Sequence, residues 1–160
     1  MEKEFKIENL RYRYNLVKAS EAKEKLFVLM KLFGPSVAAF IDNLKNVAIG
    51  DILEKEVIEA VSDLASSFSS AIKSILENLD IKTFNDLEET FVKNRVSVFD
   101  EEKAEWLLLT GPVMEERFQD DLYTEFAILG ECLKAQYGNF FKRLTIAAKS
   151  SAGKQEIKSK

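Results

Sequence analysis

The side chains able to do chemistry in this 160-residue chain are mostly carboxylates, and they lack their usual partners. Glu54, Glu56 and Glu59 cluster at one helix start. Glu88-Glu89 fall within another helix, and Glu101-Glu102 and Asp120-Asp121 stand where further helices are expected to begin. The chain contains no histidine, which removes the commonest general base and the commonest transition-metal ligand. Di-iron sites built on Glu-x-x-His pairs are thereby excluded. Asp42 to Leu53 is oxygen-rich like a calcium loop, but it lacks the central Gly and the closing Glu. Acids near helix N-termini complement the helix dipole, and that is how these carboxylates read. Two carboxylates suffice for some hydrolases, yet no spacing here selects a pair. The lone Cys132 has no imidazole to activate it and lies in an apolar helical stretch, so it reads as a small buried hydrophobe. One cysteine cannot form an internal disulfide, and a reducing cytoplasm is expected. The six glycines show no phosphate-loop spacing, and no Gly-x-Ser-x-Gly elbow occurs. The expectation is a protein that is not an enzyme and needs no cofactor or metal.

The remaining candidates are residues that contact other chains. Tyr137-Gly138-Asn139-Phe140-Phe141 gathers aromatics at one helix end. Adjacent Phe140 and Phe141 point about 100° apart on a helix, so one core face does not easily bury both. Gly138 costs about 1 kcal/mol in a helix interior, which calls for a compensation. Ser62, Ser66, Ser69 or Ser70, and Ser74 fall on one face of a long helix, as a solvated face or as a small-residue track for another helix. The net charge of −4 is uneven: residues 142–160 hold six bases and one acid, a net +5, which leaves −9 on residues 1–141. An acidic body is a poor ligand for phosphate backbones, so no nucleic-acid partner is expected. No apolar run approaches the roughly 20 residues of a bilayer span, and no membrane partner is expected. The charged start, Met1 to Lys6, has no apolar segment behind it and predicts no secretory signal.

The elements that position these residues follow from periodicity. Residues 5–17 alternate apolar and polar around Glu8-Asn9, which predicts a strand or short hairpin. Ser20 is expected to cap a helix running to about Phe33, stopped by Gly34-Pro35, and a second spans about Ser36 to Asn46. From Ile52 to about Asn78 the apolar positions Val57, Val61, Leu64, Phe68, Ala71, Ile75 and Leu79 step at near-heptad spacing. Thr83 is expected to cap a helix of about Phe84 to Asn94, and Val96 to Phe99 looks extended. Asp100 then caps a helix Glu101 to Leu109, ended by Gly111-Pro112, with another turn or two from Val113 to Phe118. The last helix runs from about Asp121 to Leu144. Residues 145–160 lose periodicity and are expected to form a flexible basic tail. The fold class expected is mainly α: a compact bundle of about five to seven helices in one domain, 1–144, with an N-terminal hairpin or strand.

Two stretches resemble the tail assembly chaperones of long-tailed bacteriophages. They are Tyr12-Arg13-Tyr14-Asn15-Leu16-Val17-Lys18-Ala19-Ser20 with Leu26 to Pro35, and the closing Tyr137 to Phe141. The resemblance covers roughly residues 10–35 and 122–141. It implies binding of the tape measure protein, recruitment of tail tube subunits, action in the host cytoplasm and absence from the mature virion. Weak homo-oligomers are expected, because such chaperones coat a long client in many copies. The partner-binding residues are then expected to be Tyr137, Phe140 and Phe141, with Tyr12, Tyr14, Ser66 and Ser70. A structural helical subunit of the particle is the alternative; a small carboxylate enzyme is a further one. If Val61, Leu64, Phe68 and Ile75 form a core seam, Phe68→Ala should lower stability by about 3–5 kcal/mol in chemical denaturation. An unchanged midpoint would place the seam elsewhere.

Overall fold

A computed structural model describes residues 1–32, 76 and 79–158, with side chains through residue 143. Two strands open the chain, β1 (Glu2–Ile7) and β2 (Leu10–Asn15), joined at Glu8-Asn9 as the alternation predicts. Glu8 takes a positive φ of 51°, which lets two residues reverse the chain. Helix α1 (Ala19–Leu32) follows. The Ile52–Asn78 seam, Phe68, Ser66 and Ser70 lie outside the described residues, apart from Leu76, which is helical and buried. Helix α2 (Ile81–Phe91) is capped by Asp80, whose carboxylate accepts the Thr83 backbone N–H at 2.9 Å. The cap therefore stands three residues before the predicted Thr83.

The predicted helix Glu101 to Leu109 is instead half of a β-hairpin. Strands β3 (Val96–Asp100) and β4 (Glu105–Leu108) pair antiparallel, with Phe99 opposite Trp106. Asp100 accepts the backbone N–H groups of Glu102 and Lys103 at 3.0 and 3.2 Å. An aspartate makes the same bonds when it caps a helix or folds a turn, so its presence alone does not choose between them. Here Ala104, with φ of 53°, turns the chain back. The Gly111-Pro112 pair, read as a helix stop, begins helix α3 (Gly111–Phe118), because proline's missing N–H costs nothing in a first turn. Helix α4 (Leu122–Lys158) continues through the segment expected to be a flexible tail. Residues 144–158 contain no proline, and their single Gly153 is tolerated at a cost of about 1 kcal/mol.

The bundle of five to seven helices is thus corrected. The described residues form four helices and one four-stranded antiparallel sheet, ordered β1-β2-β3-β4. The error came from the β3–β4 hairpin, whose Trp106-Leu107-Leu108-Leu109 run has no clean period of two. The inner sheet face presents Phe5, Tyr12, Tyr14, Val96 and Val98 to the core, with Phe5 stacked on its cross-strand partner Tyr12 at 5.5 Å. On the outer face, the guanidiniums of Arg11 and Arg13 lie 4.2 Å from Phe99 and 4.1 Å from Trp106. Arg13 also bridges Glu2 and Glu4 at 3.4 and 3.2 Å.

Helix α4 is the element that the others meet. Ile128, Leu129, Cys132, Leu133, Tyr137 and Phe141 are buried at helical spacing along it. Cys132 is a buried small side chain, as its setting predicts, and burial pushes its thiol pKa well up. Gln136 Oε1 accepts from the Tyr14 hydroxyl at 3.0 Å and from the Val17 N–H at 3.1 Å. The Tyr137 hydroxyl donates to the Ala22 carbonyl of α1 at 2.6 Å. Phe84–Phe126 and Phe91–Tyr137 join α2 to α4, with ring centroids 4.4 and 5.9 Å apart. Denaturation should separate the two kinds of contact. Tyr137→Phe should cost about 1 kcal/mol, for one buried hydrogen bond, and Leu133→Ala about 2–5 kcal/mol.

Candidate protein-binding surfaces

Of the aromatic end, Tyr137 and Phe141 are 3% and 2% exposed, and Tyr12 and Tyr14 are fully buried. The structure brings Tyr14 and Tyr137 to one core, where burial raises both phenol pKa values. Phe140 is half-buried against that core and meets Phe141 edge-on at 5.1 Å. The 100° separation therefore holds: one ring is enclosed and its neighbour reaches the margin. At Gly138 a Cβ would meet nothing within 4 Å. Internal packing of the described fold does not require a glycine there. Strand β2 is central in the described sheet, whose edges are β1 and β4.

A second surface lies at the other end of α4. An open groove of about 920 Å³ runs between α2, α3 and the first turn of α4, with Met114, Phe118 and Leu122 among its apolar walls. Leu122 is 62% exposed there. Glu88, Glu89, Glu115, Glu116 and Glu125 line the same groove against one base, Lys93, which is already bound to Glu89 at 2.8 Å. The helix-dipole explanation of the acids fails at this point. Glu88 and Glu89 occupy the last turn of α2, and Glu115 and Glu116 the later half of α3, where the dipole is negative. The consequence is visible at Glu88. Its pKa rises to about 8, by burial first and then through contact with Glu125 and the charges of Glu125, Glu115 and Glu89. Its Oε1 is buried without a hydrogen-bond partner. Reading along the chain missed this groove because its walls come from separate segments. The only available signal was two Glu-Glu pairs with no base four residues before them.

The match of a family model to residues 8–148 makes the relationship plain: the chain belongs to the phage tail assembly chaperone proteins. No curated protein and no solved structure matches it significantly. Among the described residues no cluster of metal-ligating side chains occurs, and no described helix is long and apolar enough to cross a membrane.

The raised Glu88 pKa fixes the sign of a pH effect. Between the ordinary value of 4.5 and about 8, the folded protein holds a proton that the unfolded chain lacks. Stability should therefore fall as pH rises through that window. Thermal melts of Glu88→Gln should show a shallower fall than the parent protein. Identical pH profiles would remove Glu88 as the cause.

Proposed function

We propose that this protein is a non-catalytic chaperone of phage tail assembly that binds the tape measure protein and helps recruit tail tube subunits. It acts in the host cytoplasm and leaves before the virion is complete. The family match over residues 8–148 carries this reading. Helix-in-groove recognition supplies the physics, since an apolar client face needs apolar anchors every three or four residues. The proposed client contact is the margin of the aromatic end. Phe140 forms its apolar edge, and buried Tyr137, Phe141 and Tyr14 hold that edge in place; Gly138, about 200° round the helix on the other flank, leaves room for a client helix to lie close. Such a contact is mainly apolar and should respond weakly to salt.

The test is co-expression with tape measure segments, scoring the client kept soluble by the parent protein, Phe140→Ala and Gly138→Ala. Gly138→Ala should raise stability by about 1 kcal/mol, because alanine is the better helix former. It should nevertheless lose client, since a methyl group would hold the partner helix away. Stability and binding moving in opposite directions is a result that misfolding cannot imitate. If both folded variants keep the client as soluble as the parent does, the aromatic margin is not the site. If the parent protein solubilises no segment, a structural role in the particle becomes the better reading.

A further inference from the structure

Strand β1 is an edge of the described sheet, and its pairing with β2 has a fixed phase. The Leu16 N–H donates to the Met1 carbonyl at 3.2 Å, in the same register that sets Phe5 opposite Tyr12 and Ile7 opposite Leu10. Odd-numbered residues of β1 therefore turn their backbone groups toward β2, and the N–H and C=O groups of Glu2, Glu4 and Lys6 point outward. All three residues are exposed. The charges on this edge are only half matched. Glu4 stands opposite Arg13 and bridges it at 3.2 Å. Lys6 stands opposite Arg11, a like charge, and among the described residues neither has an ion pair. Like charges directly opposite on one sheet face are unfavourable. The Arg11 guanidinium is relieved by the Phe99 ring, 4.2 Å away, but Lys6 has no such contact. An exposed strand edge thus carries a base without an acid, two positions from an acid.

We propose that a second copy of this chain pairs its β1 antiparallel with this β1 across a twofold axis, joining the two sheets into one. The axis passes beside Phe5. Glu4 and Lys6 of one molecule then stand opposite Lys6 and Glu4 of the other, and Phe5 faces its own counterpart. Only outward-pointing residues exchange N–H and C=O bonds, so the register moves in steps of two. One step either way sets Glu4 against Glu4 or Lys6 against Lys6, and like charges oppose each other. The proposed register instead brings a carboxylate to Lys6 on both sides of the axis. It also carries the stack of Phe5 on Tyr12, at 5.5 Å, across the axis as an aromatic ladder. Lysine on an edge strand guards against indiscriminate pairing. Here its alternation with glutamate admits a strand of complementary order, which β1 itself supplies when reversed. Each molecule uses the same patch, so the contact closes at a dimer. A single strand pairing buries little area, and the dimer is correspondingly weak. It uses no part of the aromatic margin and stands whether or not the client contact does.

Sedimentation velocity of the tag-free full chain tests this. The parent should pass from monomer to dimer, and no further, between about 1 μM and about 1 mM. Lys6→Glu and Glu4→Lys are the decisive variants. Both positions are exposed, and circular dichroism checks that each variant folds. Either variant alone sets like charges opposite each other at both contacts and should weaken the dimer about tenfold or more. Mixed in equal amounts, the two bring opposite charges together again, and a heterodimer as strong as the parent dimer should return. Mixing cannot repair the Arg13 bridge that Glu4→Lys loses, so rescue separates that effect from the interface. Phe5→Cys reads the register. A cysteine there faces its twin at the spacing of about 4.5 Å between non-hydrogen-bonded partners, and an added oxidant should link the two chains. Cys132 is buried and takes no part. Self-pairing through β1 is overturned if the parent stays monomeric at about 1 mM, or if either charge variant dimerises like the parent, as an interface on β4 would allow. It is overturned equally if the mixture stays monomeric, or if dimeric Phe5→Cys does not cross-link.

Discussion

Two neighbouring side chains on one helix hold three parts of this fold in register. Gln136 Oε1 receives the Tyr14 hydroxyl and the Val17 N–H, which fixes the end of the central strand β2 on α4. Tyr137, the next residue, reaches the Ala22 carbonyl and fixes α1. Hydrophobic burial between a helix and a sheet is non-directional and tolerates sliding. Hydrogen bonds made in a low-dielectric interior do not, because a displaced donor or acceptor is left unpaired at a cost of about 1–3 kcal/mol. The row Ile128, Leu129, Cys132, Leu133, Tyr137 and Phe141 supplies the burial, and Gln136 with Tyr137 chooses the position. Outside this centre, Lys25–Asp86 at 2.7 Å and Arg95–Glu21 at 3.2 Å join α1 to α2 and to the turn before β3. Those pairs are partly exposed and contribute little by comparison.

That centre explains why aromatic residues with the look of a binding motif are mostly enclosed. Tyr137 and Phe141 are needed inside, one for its hydroxyl and both for their area. Phe140, turned about 100° from Phe141, is left at the edge. Gly138 stands on the same helical turns with open space where its side chain would be. Natural sequences hold stability-lowering residues where function selects them. A glycine that costs about 1 kcal/mol and relieves no internal contact is the kind of position where binding, not folding, sets the residue.

The parts of the fold legible in the sequence are those with a long, single period. Strand β2 and its turn show a period of two, and α1 and the first two-thirds of α4 a period near 3.6. The β3–β4 hairpin was not legible, because Asp100 makes the same side-chain bonds in a turn as at a helix start and Ala104 gives no hint of its positive φ. The tail helix was missed because propagation from an existing helix needs far less intrinsic propensity than nucleation does. Of the candidate surfaces, the aromatic end was visible as a local cluster. The acidic groove was invisible, since it exists only where α2, α3 and α4 converge.

The groove also shows what chain-local electrostatics leaves out. Asp121 accepts the Thr124 N–H at 3.1 Å at the start of α4, where an acid is favoured both by capping and by the dipole. The bases toward the far end of α4 likewise suit its negative terminus. Helix stability alone would produce that much of the segregation. It does not produce Glu88-Glu89 and Glu115-Glu116, which sit at the negative ends of their own helices, where burial first and then the neighbouring acids raise the Glu88 pKa. The arrangement sets acids against the dipoles of two helices, and the one base among the described residues lining the groove is Lys93, already bound to Glu89 at 2.8 Å. The favourable half of the charge pattern can therefore be read helix by helix, whereas the unfavourable half arises only where α2, α3 and α4 converge.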